Sequence, residues 1–446
     1  MDIQKFLQHN VIPVTGCSEP AAVAYAASVA CHALSGCTPP DYAGFDPFFA
    51  AGKITRIRIS TDGNVYKNAA NAIIPGMDGR KGPVVAAAAG IFLNPRDGLD
   101  LLSGMTPEKR GKALVLALSD RVVHHIDPAI PAGESPDIRV DVTIGSGTGK
   151  RTASARIAGR HDHLARLTLG DKVIYDGGAT PGEDPDEKVP VHIISLIRIA
   201  ESMDAADIDA VYRGIGMNLE LSGTGLRHEY GLGLGKKLRV VLQNQNGTMS
   251  LVDTVRIASA AAADARMGGA PCPVMSSAGS GNQGITALVP VGIVGRECTF
   301  SKEEISRAAF ISHMVTRQAD RYTGRLSALC GCSIRAGIGA AAGVTYLIGG
   351  GAGEITTAIN LMVANVTGTI CDGAKPGCSL KIATAAGIAT ECAFLAVGGM
   401  KIPPGNGIAR QSAGGTLRVL GKISQAMAPV DSVILGILEE KPAGNG

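Results

Sequence analysis

The sequence predicts an α+β protein: a mainly helical domain, residues 1–48 and 190–446, into which an α/β module with a mostly antiparallel sheet, residues 49–189, is inserted. Three observations predict it. Strict apolar–polar alternation, the mark of half-buried strands, is confined to the first half of the chain: Lys53 to Ser60, Ile138 to Ile144, Ala153 to Ile157, Leu164 to Leu169 and Lys172 to Tyr175. From Val191 onward the apolar spacing is helical. Cys17 is separated by the alternating segments from every other stretch that carries chemistry, so the helical parts read as one discontinuous domain.

Residues 3–10 read as a short helix. Val14 to Pro20 then leads into the run Ala21 to Ala27, with Ser18 as N-cap, Glu19 in the first turn and Pro20 tolerated there. Cys17 thus precedes a helix N-terminus, where unpaired N–H groups favour thiolate over thiol. Cys31 and Cys37 read as packing. Three prolines and two glycines in residues 36–50 mark a boundary. Asp62-Gly63 reads as a turn, residues 83–93 and 111–125 as helices, and Asn64, Gly145-Ser146-Gly147 and Asp171 as further turns. His161-Asp162-His163 lies between two strands and reads as a solvated hairpin tip rather than a metal site. Residues 179–190, rich in proline and acid, read as a linker. Residues 191–203, Asp207 to Gly216 and about 250–266 read as helices. Asn218 to Gly235 is glycine-rich, which implies close backbone approach to a ligand or to another helix. Pro442 to Gly446 reads as a disordered tail.

Composition bounds the function. The 446 residues are 45% hydrophobic but only 4% aromatic, with 59 glycines and no Trp, so the core is built from small residues packed backbone to backbone. A net charge of +3 is too mild to argue for a nucleic-acid partner, and there is no basic run carrying interleaved aromatics. Ten scattered cysteines are no secreted disulfide framework and fit a reducing cytoplasm, with some used as ligands. The N-terminus lacks a signal peptide's basic start and long apolar run. The uncharged stretch Ala336 to Gly353 is mostly Gly and Ala and reads as a packed interior helix, not a membrane span.

Four stretches carry chemistry. Cys371 and Cys378 flank a loop with two glycines and a proline, and Cys378 opens an Ala-rich helix; two thiolates on one loop can hold a soft metal, or serve as small buried apolar groups. Leu326 to Cys332 supplies Cys330 and Cys332. With either of these, three thiolates suit zinc or an iron–sulfur cluster, and the lack of any C-x2-C pair argues against a zinc ribbon. Three ligands leave one metal position open for substrate. Ser276 to Ile285 gathers hydroxyls, amides and glycines before an apolar helix, a cradle for an anion to which Arg266 can add a bidentate clamp. The fourth stretch is Cys17 itself.

Gly16-Cys17-Ser18-Glu19-Pro20, Asp264 to Gly269, Gly279 to Thr286, Leu326 to Cys330 and Ile370 to Ala374, in this order, resemble the L-cysteine desulfidase family, which is related to the alpha subunit of bacterial iron–sulfur L-serine dehydratases. The resemblance implies a [4Fe–4S] cluster held by Cys330, Cys371 and Cys378, and β-elimination on L-cysteine giving hydrogen sulfide, pyruvate and ammonia. It implies that Cys17 is the reactive thiol near the open iron, as general base, temporary fourth ligand or both. Cys332 departs from the family pattern and competes with Cys330 for the third ligand place.

Elimination needs a base for the α-proton, help for the departing sulfur and a grip on the carboxylate. Cys17 and Glu19 are the candidate catalytic residues; Arg266, Ser280, Asn282, Gln283 and Asn218 are the candidate substrate-binding residues. The expected partner is a small amino-acid substrate, with no nucleic acid and no membrane, and a homo-oligomer is the candidate assembly. Three other readings stand beside this one. The first is an iron–sulfur L-serine dehydratase. The second is a pyridoxal-phosphate lyase, because Ser280 to Gly284 resembles the asparagine loop of that class; it needs a Schiff-base lysine, for which Lys67 is the candidate. The third is a non-catalytic iron–sulfur sensor.

Overall fold

The computed structural model describes residues 1–128, 130, 136–145, 147–178, 189–324, 326–403 and 405–440. Ser146, the linker read at 179–190 except its last two residues, and the tail at 442–446 lie outside the described residues.

The chain opens with α1 (Ile3–Asn10), β1 (Pro13–Thr15) and α2 (Ser18–Ala33). Every residue of α2 is buried, as suits a helix that is apolar all round. Its N-cap is Cys17 rather than Ser18, one position earlier than the sequence suggests, and Ser18 instead donates to the carbonyl of Gly279 at 3.2 Å. The sheet follows: β2 (Ile54–Thr61), then α3 (Gly63–Ala69), α4 (Pro83–Gly90), a 3-10 segment (Pro95–Gly104), α5 (Pro107–Ala117), β3 (Val122–Ile126), β4 (Asp137–Ile144), β5 (Arg151–Ala158), β6 (Leu164–Leu169) and β7 (Lys172–Asp176). The strand order is β3-β2-β4-β5-β6-β7, antiparallel except for β2 with β3.

Two local readings change here. The helix expected over 111–125 stops at Ala117, and the β-branched Val122-Val123 opens a strand parallel to β2. Asp62 and Asn64 are not turn residues: Asp62 is the N-cap of α3, its carboxylate accepting from the N–H groups of Asn64 and Val65 at 2.8 and 3.0 Å, and Asn64 lies in the helix's first turn.

The helical part comprises α6 (Ile193–Glu201), α7 (Ala205–Arg227), α8 (Leu234–Asn246), α9 (Leu251–Met267), the short β8 (Pro273–Met275), α10 (Gly281–Glu297), α11 (Lys302–Thr323), α12 (Arg335–Leu347), α13 (Ala352–Val366), α14 (Cys378–Val397), α15 (Ala413–Ala426) and α16 (Ala428–Glu439). Capping boxes begin α7 (Asp204/Asp207), α9 (Ser250/Asp253) and α11 (Ser301/Glu304). The glycine-rich stretch from Asn218 is largely helix, since α7 continues to Arg227. Gly225 sits in it because α7 crosses α9 so closely that a Cβ there would collide with the carbonyl oxygen of Ala261. Ala336 to Gly353 is the buried α12 plus the turn into α13. Among the described residues one helix, α14, is long and apolar enough to cross a membrane, and 56% of its apolar window is buried against its neighbours.

Two large apolar cores result. One joins the inner face of the sheet (Ile57, Ile59, Val140, Val142, Ala155, Ile157) to α2 and α4, and the other fills the helical bundle. A third, small cluster unites Cys17, Ala72, Met267, Ala374 and Cys378. A two-stranded pairing that the sequence gives no sign of, Pro13–Thr15 with Pro273–Met275, fastens the start of α2 to the loop before α10.

Candidate active site

The small third cluster lies at the wall of a cavity of about 80 Å³. Seven segments converge on it: the start of α2, the end of α3, the tip of the β5–β6 hairpin, the end of α9, the loop into α10, the Leu326–Cys332 loop and the Cys371–Cys378 loop. Main-chain bonds set the approach of the last two. Cys330 N donates to Thr369 O at 2.9 Å and Cys371 N to Ala328 O at 2.7 Å, closing a bridge between Leu329 and Ile370. Gly373 has φ +90°, and a Cβ there would run into the Lys67 carbonyl, so the loop turns at a residue that has to be glycine.

The thiols of Cys330, Cys332, Cys371 and Cys378 all line the cavity. The Cys332 thiol donates to Cys330, which lowers Cys330 and raises Cys332. Burial, followed by the neighbouring thiols, pushes Cys378 up to about 11 and raises Cys371. Positive charge stands beside them. Lys381 also lines the cavity, bonded to Asp372 and to Ile370 O; burial opposes its charge, but Asp372 and the Cys330 and Cys371 thiols raise it overall. Among the described residues no three His, Cys, Asp or Glu side chains converge on the position of a single metal ion. A four-iron cluster is ligated at separate irons, so its thiolates stand apart around it. Four thiols on one cavity wall with a lysine beside them are a donor set that suits a soft metal centre.

The opposite wall is polar. Arg266, 3% exposed, points Nε and Nη2 at no protein partner, and the side-chain oxygens of Asn282 and Gln283 are likewise buried without one. Met267 Sδ accepts from Arg266 Nη1 at 3.5 Å and from Asn282 Nδ2 at 3.2 Å, aligning the two side chains. Gly281 makes room for the guanidinium: a Cβ would lie 2.5 Å from Arg266 Nε. Ser280 caps α10 without a side-chain cap bond and lines the cavity. Its loop is tied down by Ser276 N to Ile12 O at 3.0 Å and by the Ser277–Ser280 bridge. Unpaired buried donors and acceptors are costly unless a ligand meets them, so this wall can take a small polar ligand.

Cys17 and Glu19 close the cavity from a third side. The Cys17 thiol donates to Glu19 Oε2 at 3.3 Å. Its acidity is opposite to the expectation from its place before a helix: burial first and the Glu19 carboxylate second push the thiol well above its ordinary value, against the lowering by Arg266. Desolvation outweighs the helix dipole here.

Nine of the ten candidate site residues therefore line one cavity: Cys17, Glu19, Arg266, Ser280, Asn282, Gln283, Cys330, Cys371 and Cys378. Asn218 does not. Its amide is spent on the Met275 main chain, donating to O at 3.1 Å and accepting from N at 2.8 Å, and so it props β8 from within α7. Lys67 is not a free amine either: it is fully buried, 2.5 Å from Asp431 and 3.4 Å from Ser327 O, which removes the Schiff-base candidate. The sequence reading missed His161. The tip of the β5–β6 hairpin is only half solvated; it brings His161 to the cavity, Nε2 lying 3.8 Å from Glu19 Oε1. The one sequence signal was the charged Arg160-His161-Asp162-His163 run itself.

A helical core of small residues enclosing one polar, thiol-lined cavity is the class of fold defined so far. Comparison with known proteins names the family. Residues 96–436 match the family described as Serine dehydratase alpha chain. A UPF0597 protein of Desulfatibacillum aliphaticivorans is 35% identical over 98% of each chain, and one of Clostridium perfringens (strain SM101 / Type A) is 35% identical over 99% of this chain and 98% of its own. A third, from Desulfotalea psychrophila, is 33% identical over 98% of each. The chain belongs to the serine dehydratase alpha chain family. Membership makes it a lyase-type protein of a family that generally binds an iron–sulfur cluster. The family match begins beyond Cys17 and Glu19, whereas the UPF0597 relatives match over nearly the whole chain.

Proposed function

We propose that the protein is an iron–sulfur-dependent lyase that performs β-elimination on L-cysteine, giving hydrogen sulfide, pyruvate and ammonia. The observation that carries this reading is the division of one cavity into a thiol wall and a wall of unpaired buried donors and acceptors. Cys330, Cys371 and Cys378 would hold a [4Fe–4S] cluster, with Cys332 as the alternative to Cys330. When bound, such a cluster supplies an iron without a protein ligand, a Lewis acid suited to a soft departing sulfur.

The chain's own side chains do the rest. Arg266 offers two N–H groups to the substrate carboxylate, and the Asn282 and Gln283 oxygens accept from the ammonium. Ser280 lies on the same wall. This orientation brings Cα toward the Cys17–Glu19 pair. Because Cys17 is held as a thiol donating to Glu19, the carboxylate is the basic member of the pair and takes the α-proton. The aminoacrylate released with sulfide hydrolyses to pyruvate and ammonia in water.

A second reading, L-serine as substrate, is favoured by the description of the matched family. Anaerobically reconstituted protein given each amino acid in turn separates the two. Sulfide and pyruvate from L-cysteine are expected. Pyruvate from L-serine alone replaces the first reading with the second, and no pyruvate from either rejects both.

A further inference from the structure

We propose that His161 is a proton relay: it takes the abstracted proton from Glu19 and passes it to solvent. The inference rests on the lyase reading and goes beyond it, because it gives the sheet module a share in the chemistry. Glu19 is bracketed. One carboxylate oxygen accepts from the Cys17 thiol at 3.3 Å, and the other lies 3.8 Å from His161 Nε2, a small side-chain rotation from a hydrogen bond. The three side chains line the same cavity. The His161 side chain is 11% exposed and the Glu19 side chain 10%, so the pair is enclosed but not sealed.

The hairpin tip is built to hold this ring in place. Arg160 and Asp162, the residues either side of His161 in sequence, form a two-pronged pair, Nε to Oδ1 at 3.0 Å and Nη2 to Oδ2 at 2.9 Å. Gly159 N donates to Pro136 O at 2.8 Å and His163 N to Arg160 O at 3.2 Å, fixing the turn to the neighbouring strands. The Asp162 carboxylate is depressed, against its burial, by Arg160 and by His161 itself, and with Glu19 on the other side it can stabilise the imidazolium that forms when the neutral ring takes the proton. The charged and titratable groups around the tip are Glu19 and Tyr25 of α2, its N-cap Cys17, Arg160, Asp162 and His163 of the tip itself, and Tyr175 of β7.

The balance is simple. Elimination breaks Cα–H and the bond to the leaving group and forms a C=C bond. Glu19 carries the proton from Cα as a carboxylic acid. His161 Nε2 takes that proton, the imidazolium releases one to solvent, and both groups return to their starting states. No oxidant or reductant is involved.

Two measurements test this. In the first, His161→Ala and His161→Asn are compared with the wild type under anaerobic conditions. The expected result is unchanged iron and KM, with kcat lowered at least about tenfold, short of the upper end of the roughly hundred- to ten-thousandfold loss of a general base. Added imidazole should restore the His161→Ala rate, and a series of substituted imidazoles should do so in order of basicity. Wild-type kcat in these variants, or a loss that imidazoles leave untouched, overturns the relay. Inactivity of the wild type on both amino acids overturns the lyase reading, and the relay with it. In the second, histidine labelled at Cε1 is titrated by NMR in the wild type and in Glu19→Gln. Loss of the carboxylate should lower the His161 pKa. A His161 that titrates identically in both proteins overturns the pairing whatever the activity shows.

Discussion

The thiol of Cys17 points at the carboxylate of Glu19, two residues on in the first turn of α2, at 3.3 Å. A carboxylate this close keeps a buried thiol protonated, so Glu19→Gln should lower the Cys17 pKa and raise its thiolate fraction at a fixed pH, about tenfold for each unit of the fall. The rate of Cys17 alkylation by iodoacetamide at pH 8, followed by peptide mass spectrometry, should rise accordingly. An unchanged rate would mean that burial alone sets the thiol.

If Cys17 and Glu19 act as a unit, Cys17→Ala and Glu19→Gln should both keep their iron and lose turnover, Glu19→Gln by roughly a hundred- to ten-thousandfold. Loss of iron in Cys17→Ala would instead make Cys17 a ligand.

Anaerobic protein should carry about four irons per chain and absorb broadly in the visible. Cys371→Ser, Cys378→Ser and Cys330→Ser should each lose iron and activity together, while Cys332→Ser keeps both. Iron analysis beside the visible spectrum decides this, and an exchange of the last two outcomes moves the third ligand to Cys332.

Arg266→Lys keeps the charge but gives up the planar pair of donors. The loss of hydrogen bonding to a charged group is about 1.5–3 kcal/mol, roughly ten- to a hundred-and-fiftyfold in kcat/KM, carried mainly by KM. Steady-state kinetics with unchanged iron content checks it.

The buried Lys67–Asp431 pair joins α3 to α16. Lys67→Met leaves a buried carboxylate unpaired and should cost about 3–5 kcal/mol; Lys67→Met combined with Asp431→Leu should recover much of that. Denaturant titration of the single and double variants measures the difference.

Nearly all of the cavity wall was legible in the sequence, and for definable reasons. Cys17, Arg266, Asn282, Gln283 and the loop cysteines each stand where glycine or a polar cluster meets an apolar helix, and such junctions are where a helical fold exposes side chains to a ligand. Asn218 failed that logic because it lies inside α7, where the glycines serve the crossing with Ala261 instead of a ligand. His161 was missed because a local pattern tells a hairpin tip from a strand but not what the tip packs against. The helix expected at 111–125 broke because Val122-Val123 meets β2, a partner some sixty residues earlier in the chain. The pairing of Pro13–Thr15 with Pro273–Met275 is longer in range still, and three-residue strands leave no periodicity to read.

The third core cluster also fixes an order of events during synthesis. Cys17 leaves the ribosome before Met267, Ala374 and Cys378, against which it packs. At typical elongation rates of about 5–20 residues per second, the thiol waits roughly 20–70 seconds for the last of those neighbours. Until then those neighbours cannot shield it, and the Glu19 carboxylate beside it disfavours the thiolate, the more oxidisable form. This corner of the cavity is thus begun long before it is closed.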